Sequence, residues 1–239
     1  MTDNRLIVAL DVHSMEDVRT LIETLGESVS YYKVGMELYY RAGTEVLSYL
    51  HRHKKSVFLD LKLHDIPNTV AEGLCSLMRV HADMMNVHAS GGYEMMRTAV
   101  AKVHEQAIKD GIVAPKLLAV TVLTSIGDDA WKEMGFAQNI PGQVVRLALL
   151  AKKAGMDGVV ASPQEASAIR AACGQEFLIV TPGIRPAGAD INDQNRISAP
   201  AAALRNGATH LVVGRPIRNA ENPKAAAEAI IREMEGVMS

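Results

Sequence analysis

The sequence is poor in aromatic residues and cysteine, and it has no strong excess of either charge. Aromatic side chains make up 4% of the 239 residues, and the two cysteines are Cys75 and Cys173. Isolated cysteines in helix-like segments suit a reducing cytoplasm and predict neither a disulfide framework nor a metal cluster. A formal net charge of −2 argues against nonspecific binding to nucleic acid.

Long hydrophobic runs are missing as well. No stretch approaches the roughly 18 consecutive apolar residues that span a membrane. The N-terminal residues lack the basic and apolar regions of a signal peptide. We therefore expect a cytoplasmic protein with no membrane partner. Because no composition shift, linker or low-complexity run divides the chain, we predict a single catalytic domain over 1–239.

The chain does contain a series of short apolar runs separated by helix-like segments. The runs are too short and too rich in β-branched residues for helices, so each predicts a strand. They span 6–12, 31–36, 57–62, 84–89, 117–124, 158–162, 177–183 and 210–216. Strands that alternate with helices favour parallel pairing. Eight such units predict an α/β fold with a single (β/α)8 TIM barrel, and an open doubly wound sheet is the competing arrangement.

Capping sequences mark several helix starts. Ser14 is followed three residues later by Asp17, which resembles a capping box. The segment Ser162-Pro163-Gln164-Glu165 is a stronger example and predicts a helix that begins at Pro163. Asn222-Pro223 opens the last helix in the same way.

Unusual polar residues fall in the apolar runs or just after them, mostly at the carboxyl ends. These ends converge on one mouth of a parallel barrel, which is where active sites are found. The polar residues are Asp11, Lys33, Asp60, Lys62, His88, Thr124, Ser125, Arg185 and Arg215. Their shared position predicts a single site.

The segment FLDLKLHD (58–65) is the strongest of these signals. Asp60 and Lys62 are two residues apart in a predicted strand, so their side chains should leave it on the same side. A buried ion pair often adds no net stability over apolar residues, so a folding role alone explains this pair poorly. Asp65, which precedes Pro67, has a helix-capping interpretation as well as a functional one.

Two arginines near the last strands predict a phosphate site. Arg185 follows the seventh run, and Gly214 and Arg215 lie at the end of the eighth, where phosphates often bind in barrels. A glycine allows close approach of the backbone, and an arginine offers a planar set of donors. The polar segment 186–196 is either a loop that closes over the phosphate or an ordinary surface loop.

The histidines receive no chemical role from the sequence. His51 and His53 precede two lysines near a helix end and suit a solvated basic helix terminus. His64 is expected to pack or cap at a turn. No set of Cys, His or carboxylate residues has convincing metal-ligand spacing, so no metal site is predicted.

Several motifs together resemble those of the orotidine 5′-phosphate decarboxylase family. They are DLKLHDIPNT (60–69), VALD (8–11), KVG (33–35), VTVLTS (120–125), TPGIRP (181–186) and VGRP (213–216), in the expected order along nearly the whole chain. The resemblance implies a (β/α)8 barrel that works as a homodimer. It also implies conversion of orotidine 5′-phosphate to UMP and CO2, the last step of de novo pyrimidine synthesis, without a metal or organic cofactor.

The same resemblance implies roles for individual residues. The catalytic charge array would comprise Lys33, Asp60, Lys62 and Asp65, with Lys62 delivering a proton. From the neighbouring subunit, Asp65, Ile66 and Thr69 would enter the site. The implied substrate contacts are Asp11 and Lys33 to ribose hydroxyls, Ser125 to the pyrimidine edge, and Arg185, Gln194, Gly214 and Arg215 to the phosphate. Thr124 would line the site, and Pro182 would be a further substrate-binding residue.

Three alternatives remain open from the sequence. Mg²⁺-dependent sugar-phosphate decarboxylases and aldolases of the same superfamily share the Asp-x-Lys-x-x-Asp pattern, but they have an acid where this chain has Lys33, a cation that would repel the metal. A Schiff-base aldolase needs a neutral amine at Lys62, which the neighbouring acids disfavour. A nucleotide-binding protein without catalysis would keep Arg185 and Arg215 but would not need the Asp-Lys-Asp set.

Overall fold

Eight parallel strands close into a barrel in the computed structural model, which describes residues 2–186 and 198–237. The strands are β1 (Leu6–Ala9), β2 (Tyr31–Gly35), β3 (Ser56–Leu63), β4 (Met84–His88), β5 (Lys116–Val120), β6 (Gly158–Val160), β7 (Leu178–Thr181) and β8 (His210–Val213). Each pairs with its neighbour in sequence, and β1 also pairs with β8, which closes the ring. The predicted (β/α)8 barrel is confirmed, and the open doubly wound sheet is wrong.

Helices connect the strands and pack on the outside of the barrel. They are α1 (Met15–Leu25), α2 (Met36–Ala42), α3 (Glu45–Arg52), α4 (Pro67–Met78), α5 (Gly92–Asp110), α6 (Asp128–Glu133), α7 (Ile140–Lys153), α8 (Ala166–Cys173), α9 (Pro200–Arg205), α10 (Arg215–Arg218) and α11 (Pro223–Glu235). None of these helices from the described ranges has both the length and the apolar composition to cross a membrane. Cys75 in α4 and Cys173 in α8 are free thiols.

Strand residues alternate between two apolar clusters. Ile7 and Phe58 point into the barrel, where they pack with inward-facing side chains of other strands. The next residues along, Val8 and Leu59, point outward and pack against the helices. This two-sided burial explains why the strands read as continuous apolar runs. The filled interior forms a floor beneath the carboxyl ends of the strands.

Several strands are shorter than the apolar runs that predicted them. β1 ends at Ala9 and β5 ends at Val120, whereas the sequence predicted strands to residues 12 and 124. Leu10 and Thr121 still donate backbone hydrogen bonds to the neighbouring strands, and after them Val122 and Leu123 line a cavity at the mouth. The apolar character of these residues therefore reflects their place in the mouth, without strand pairing.

The capping predictions have mixed outcomes. Ser14 caps α1 by accepting a hydrogen bond from the Asp17 N–H, and Asn222 caps α11, as predicted. The helix predicted to begin at Pro163 is wrong, because α8 begins at Ala166. The Ser162 hydroxyl instead accepts a hydrogen bond from the Gln164 N–H at 3.2 Å and closes a turn before the helix.

Candidate active site

A cavity of about 270 Å³ opens at the carboxyl ends of the strands. Its floor and walls include the apolar side chains of Phe58, Val120, Val160 and Val212. Among the residues that the sequence singled out, its lining includes Lys33, Asp60, Lys62, Thr124, Ser125 and Pro182. The barrel therefore brings residues from β2, β3 and the segments after β5 and β7 to one site.

Four charged side chains of alternating sign form a connected array at this cavity. Lys33 Nζ lies 3.1 Å from Asp11 Oδ1 and 3.4 Å from Asp60 Oδ2. Lys62 Nζ donates a hydrogen bond to Asp60 Oδ1 at 2.7 Å. Asp60 is buried, with 8% of its surface exposed, and lies between the two ammonium groups. Each charge is thus next to a charge of opposite sign.

The array keeps its two most buried members charged. Burial alone would raise the pKa of Asp60, but the positive charges of Lys33 and Lys62 and hydrogen bonds from Lys62 and Asn86 lower it below its ordinary value. Burial likewise opposes the charged form of Lys33, yet Asp60 and Asp11 raise its pKa above the ordinary value. Both groups are therefore ionised at neutral pH.

The carboxyl end of β3 is irregular where it carries the array. Leu59 pairs with Met85 and Leu63 pairs with Val87, so β3 contains two more residues than β4 between these points. Lys62 lies in this bulge and has a φ of +52°, in the left-handed region that residues other than glycine rarely adopt. The side chains of Asp60 and Lys62 therefore meet as predicted, but the backbone that carries them is not the regular strand that the prediction assumed.

Asn86 is a member of the site that the sequence analysis missed. It is fully buried in β4. Its Nδ2 donates to Asp60 Oδ1 at 2.6 Å, and its Oδ1 accepts from the Lys62 backbone N–H at 2.8 Å. The available signal was a single amide in the otherwise apolar start of the run MMNVHA (84–89).

Two glycines leave room for the array. A Cβ atom at Gly35 would lie 3.1 Å from Lys33 Nζ, which is tighter than an ordinary contact. A Cβ atom at Gly214 would lie 3.4 Å from Asp11 Oδ2. Gly214 was predicted as a phosphate contact, and the structure places it beside Asp11 as well.

The predicted phosphate-binding arginines follow adjacent strands. Arg185 comes after β7 and is buried, and its Nη1 donates to the Ile184 carbonyl oxygen at 2.9 Å. Arg215 is the first residue of α10, directly after Gly214. Gln194, the remaining predicted phosphate contact, lies outside the described residues, as does 187–196 of the predicted closing loop.

Asp65, Ile66 and Thr69 are exposed residues around the start of α4. Asp65 Oδ1 accepts a hydrogen bond from the Ile66 N–H at 2.6 Å, and the N-cap of α4 is Ile66, so Asp65 does not occupy the capping position. The side chain of Ile66 is 66% exposed, which is unusual for isoleucine. Within the described part of the chain, the cavity lining does not include these three residues.

Known proteins match nearly the whole chain. The model of the orotidine 5′-phosphate decarboxylase / HUMPS family matches residues 4–230. The chain belongs to this family. The orotidine 5′-phosphate decarboxylase of Moorella thermoacetica is 49% identical over 235 residues, covering 98% of this chain and 93% of the relative. That of Syntrophomonas wolfei is 50% identical over 233 residues, covering 97% and 98% respectively.

A solved structure agrees with the sequence relatives. The crystal structure of orotidine 5′-phosphate decarboxylase from Lactobacillus acidophilus superposes with a TM-score of 0.85 at 42% identity, covering 97% of this chain and 99% of that one. The predicted family is confirmed, and the chain is a carboxy-lyase by family. The Mg²⁺-dependent alternative is not favoured. The roles of single residues stay predictions.

Proposed function

We propose that the chain converts orotidine 5′-phosphate to UMP and CO2 by direct decarboxylation, without a metal or organic cofactor, as the last step of de novo pyrimidine synthesis. One observation carries the proposal. The Lys62 ammonium group borders the cavity at 2.7 Å from Asp60, within an array that continues through Lys33 to Asp11.

The difficulty of this reaction explains why fixed charges are needed. Loss of CO2 from the pyrimidine ring leaves an electron pair in the plane of the ring, which the π system cannot absorb. Charges that are already oriented in a water-poor site stabilise such a pair without reorganisation. The Lys62 ammonium group supplies the positive charge and then donates its proton to the ring carbon.

The other members of the array orient Lys62. Asp60 accepts a hydrogen bond from the lysine amine and holds it at the cavity wall. Lys33 bridges Asp60 and Asp11, so that neither carboxylate is left without an opposite charge. In the proposed complex, Asp11 and Lys33 also bind the ribose hydroxyls, and Thr124, Ser125 and Pro182 surround the pyrimidine.

Binding of the phosphate must contribute to the rate as well. Two unit charges about 4 Å apart interact by roughly 4 kcal/mol at an effective dielectric of about 20, which corresponds to about three decades of rate. A very slow uncatalysed reaction needs more than about 20 kcal/mol. We assign much of the difference to substrate binding remote from the reacting carbon, through Arg185, Gln194, Gly214 and Arg215.

A second subunit would complete the site. We propose a homodimer in which Asp65, Ile66 and Thr69 of one subunit enter the site of the other. The 66% exposure of Ile66 supports this arrangement, because an interface would cover it. A single catalytic domain over 1–239 and a cytoplasmic location also remain part of the proposal.

The charge at position 33 separates this proposal from a Mg²⁺-dependent lyase. Lys33 Nζ lies between Asp11 and Asp60, the two carboxylates that a cation there would need. An ammonium group at that point repels Mg²⁺ and takes up the carboxylate oxygens that would bind it.

Ultraviolet absorbance of orotidine 5′-phosphate tests the proposal directly. We expect the native protein to convert it to UMP and the Lys62→Ala variant to lose at least about three decades of rate. Lys54→Ala is a matched control, because Lys54 is also a lysine with a positive φ, at +54°, but is exposed at the end of α3. Tight UMP binding by a native protein with no turnover would instead support a nucleotide-binding protein.

A further inference from the structure

The buried position of Asn86 requires an explanation. Its neighbour Met84, two residues earlier in β4, belongs to the cluster inside the barrel, so Asn86 projects into the same interior, one step nearer the mouth. An amide in such a place is unfavourable unless its donor and acceptor are both paired. The packing of the barrel interior does not itself require an amide, so the pairing of Asn86 indicates a role beyond the core.

Both ends of the amide are engaged by the catalytic array. Nδ2 donates to the Asp60 carboxylate and Oδ1 accepts from the Lys62 backbone N–H. The amide has one orientation that satisfies this pair, because a carboxylate needs a donor and an N–H group needs an acceptor. Asn86 therefore connects the backbone of one charged residue to the side chain of its partner.

This connection acts where the backbone of β3 is irregular. Lys62 has a left-handed φ of +52° in the stretch where the register of β3 against β4 shifts. Such a conformation persists only when its surroundings hold it. The hydrogen bond from Lys62 N–H to Asn86 is one such restraint, and it comes from the rigid neighbouring strand.

We propose that Asn86 is a positioning residue for the decarboxylation, an inference that rests on the proposed function. It sets the place of the Lys62 ammonium group by holding the lysine backbone and the Asp60 carboxylate from one side chain. Asn86 is not one of the described residues that line the cavity, so it acts through Lys62 and Asp60.

The variant Asn86→Leu tests this role, because leucine has the same branched arrangement of side-chain heavy atoms and no hydrogen-bonding groups. We expect kcat to fall about 100-fold, as a shift of about 1 Å at a reacting group can do. KM and the affinity for UMP should change less than about threefold, because the proposed phosphate and ribose contacts are untouched. Rates are divided by the number of UMP-binding sites, which removes any unfolded fraction.

The variant Asn86→Asp supplies a conservative rescue. At neutral pH it places a second carboxylate beside Asp60, which is repulsive and lacks a donor. The other charged groups near the pair are Lys33 on β2, Lys62 on β3 and the titratable His88 at the end of β4. At lower pH the two carboxylates share a proton, which restores a hydrogen-bond donor between them. The ratio of the variant's kcat to the native kcat should therefore be about tenfold higher at about pH 5 than at about pH 8.

Two further measurements separate positioning from folding. Asn222→Ala removes the cap of α11 and serves as a control that loses stability but keeps native kcat per site. Hydrogen exchange at the Lys62 amide should speed up at least about tenfold in Asn86→Leu, while amides of β2 remain protected.

Three outcomes would overturn the inference: kcat of Asn86→Leu within threefold of native, a parallel loss of UMP affinity, or a flat pH ratio for Asn86→Asp. Each leaves the proposed function intact if the native protein makes UMP. If the native protein leaves orotidine 5′-phosphate unchanged, the proposed function and this inference are both wrong.

Discussion

The amine of Lys62 lies 2.7 Å from the carboxylate of Asp60, although the residues are only two apart and the backbone at Lys62 is left-handed. In a regular strand, alternate residues are about 6.6 Å apart along the strand axis. The bulge at the end of β3 instead lets the long lysine side chain fold back onto the aspartate. The central charge pair of the site is therefore a product of the backbone bend as well as of the residue types.

Replacing Asp60 with asparagine should impair both rate and folding. The variant leaves the ammonium groups of Lys33 and Lys62 beside a neutral amide. We expect kcat to fall by about three decades and the free energy of unfolding to fall by about 3 kcal/mol. Steady-state rates and urea denaturation measure the two effects.

The control for that variant is Asp129→Asn. Asp129 is fully exposed and its oxygen lies 3.6 Å from Lys132 Nζ, so solvent screens this surface pair and its loss should leave stability and turnover nearly unchanged. Native turnover by Asp60→Asn would contradict the proposed role of the array.

Mixing inactive variants should reveal whether Asp65 acts across a dimer interface. A heterodimer of Lys62→Ala and Asp65→Ala subunits has one site with both changes and one site with neither. Random exchange of subunits should therefore restore roughly a quarter of native activity. Activity is measured after the two inactive proteins are mixed and allowed to exchange.

A second mixture provides the control for subunit exchange. Lys62→Ala and Lys33→Ala change residues of the same chain's cavity, so no heterodimer site is native and no activity should return. Equal recovery in both mixtures, or none in the first, would contradict the assignment of Asp65 to the partner's site.

Stability should decrease in mild acid because of His210. Burial, opposed in part by Asp3, lowers the pKa of His210 to about 4, and its ring packs edge-on against Tyr31. Between about pH 6.5 and about pH 4 the unfolded chain binds a proton that the folded chain does not, so unfolding becomes easier by about 2–3 kcal/mol as the pH falls. Urea denaturation across this range measures the slope.

The variant His210→Gln should flatten that dependence. His104→Gln is the matched control, because His104 lies on the exposed face of α5 and should leave the slope unchanged. An unchanged slope in His210→Gln would show that other groups dominate the acid sensitivity.

Removal of divalent cations should not affect turnover. Lys33 places an ammonium group between the two carboxylates that a metal would use. We expect rates with EDTA and with added Mg²⁺ to agree within about 20%, apart from the small effect of ionic strength. Loss of activity in EDTA that Mg²⁺ restores would favour the sugar-phosphate lyase alternative.

The sequence was sufficient for the barrel and for most of the array. Eight apolar runs correspond to the eight strands, because strands buried on both faces have no polar alternation to obscure them. Lys33, Asp60 and Lys62 can be identified from the sequence because charges are conspicuous within or at the ends of such runs. Some predicted strands extended past the observed strand ends, because apolar residues also line the mouth.

Other features depend on contacts that the sequence does not display. The left-handed φ at Lys62 arises from a register shift between β3 and β4, and neither strand alone encodes it visibly. A role for Asn86 becomes evident only from its position beside Asp60 in the folded chain. The helix start at Ala166 differs from the prediction because 163–165 form a turn, in which the Glu165 N–H donates to the Ser162 carbonyl oxygen at 3.1 Å, before α8 begins.

The left-handed backbone at position 62 also bears on how this protein tolerates change. Glycine adopts such a φ without strain, whereas a residue with a Cβ atom is disfavoured there by about 1 kcal/mol. The proposed general acid thus occupies a backbone position that intrinsically favours glycine. A change of Lys62 to glycine would therefore relieve local backbone strain while removing the proposed proton donor.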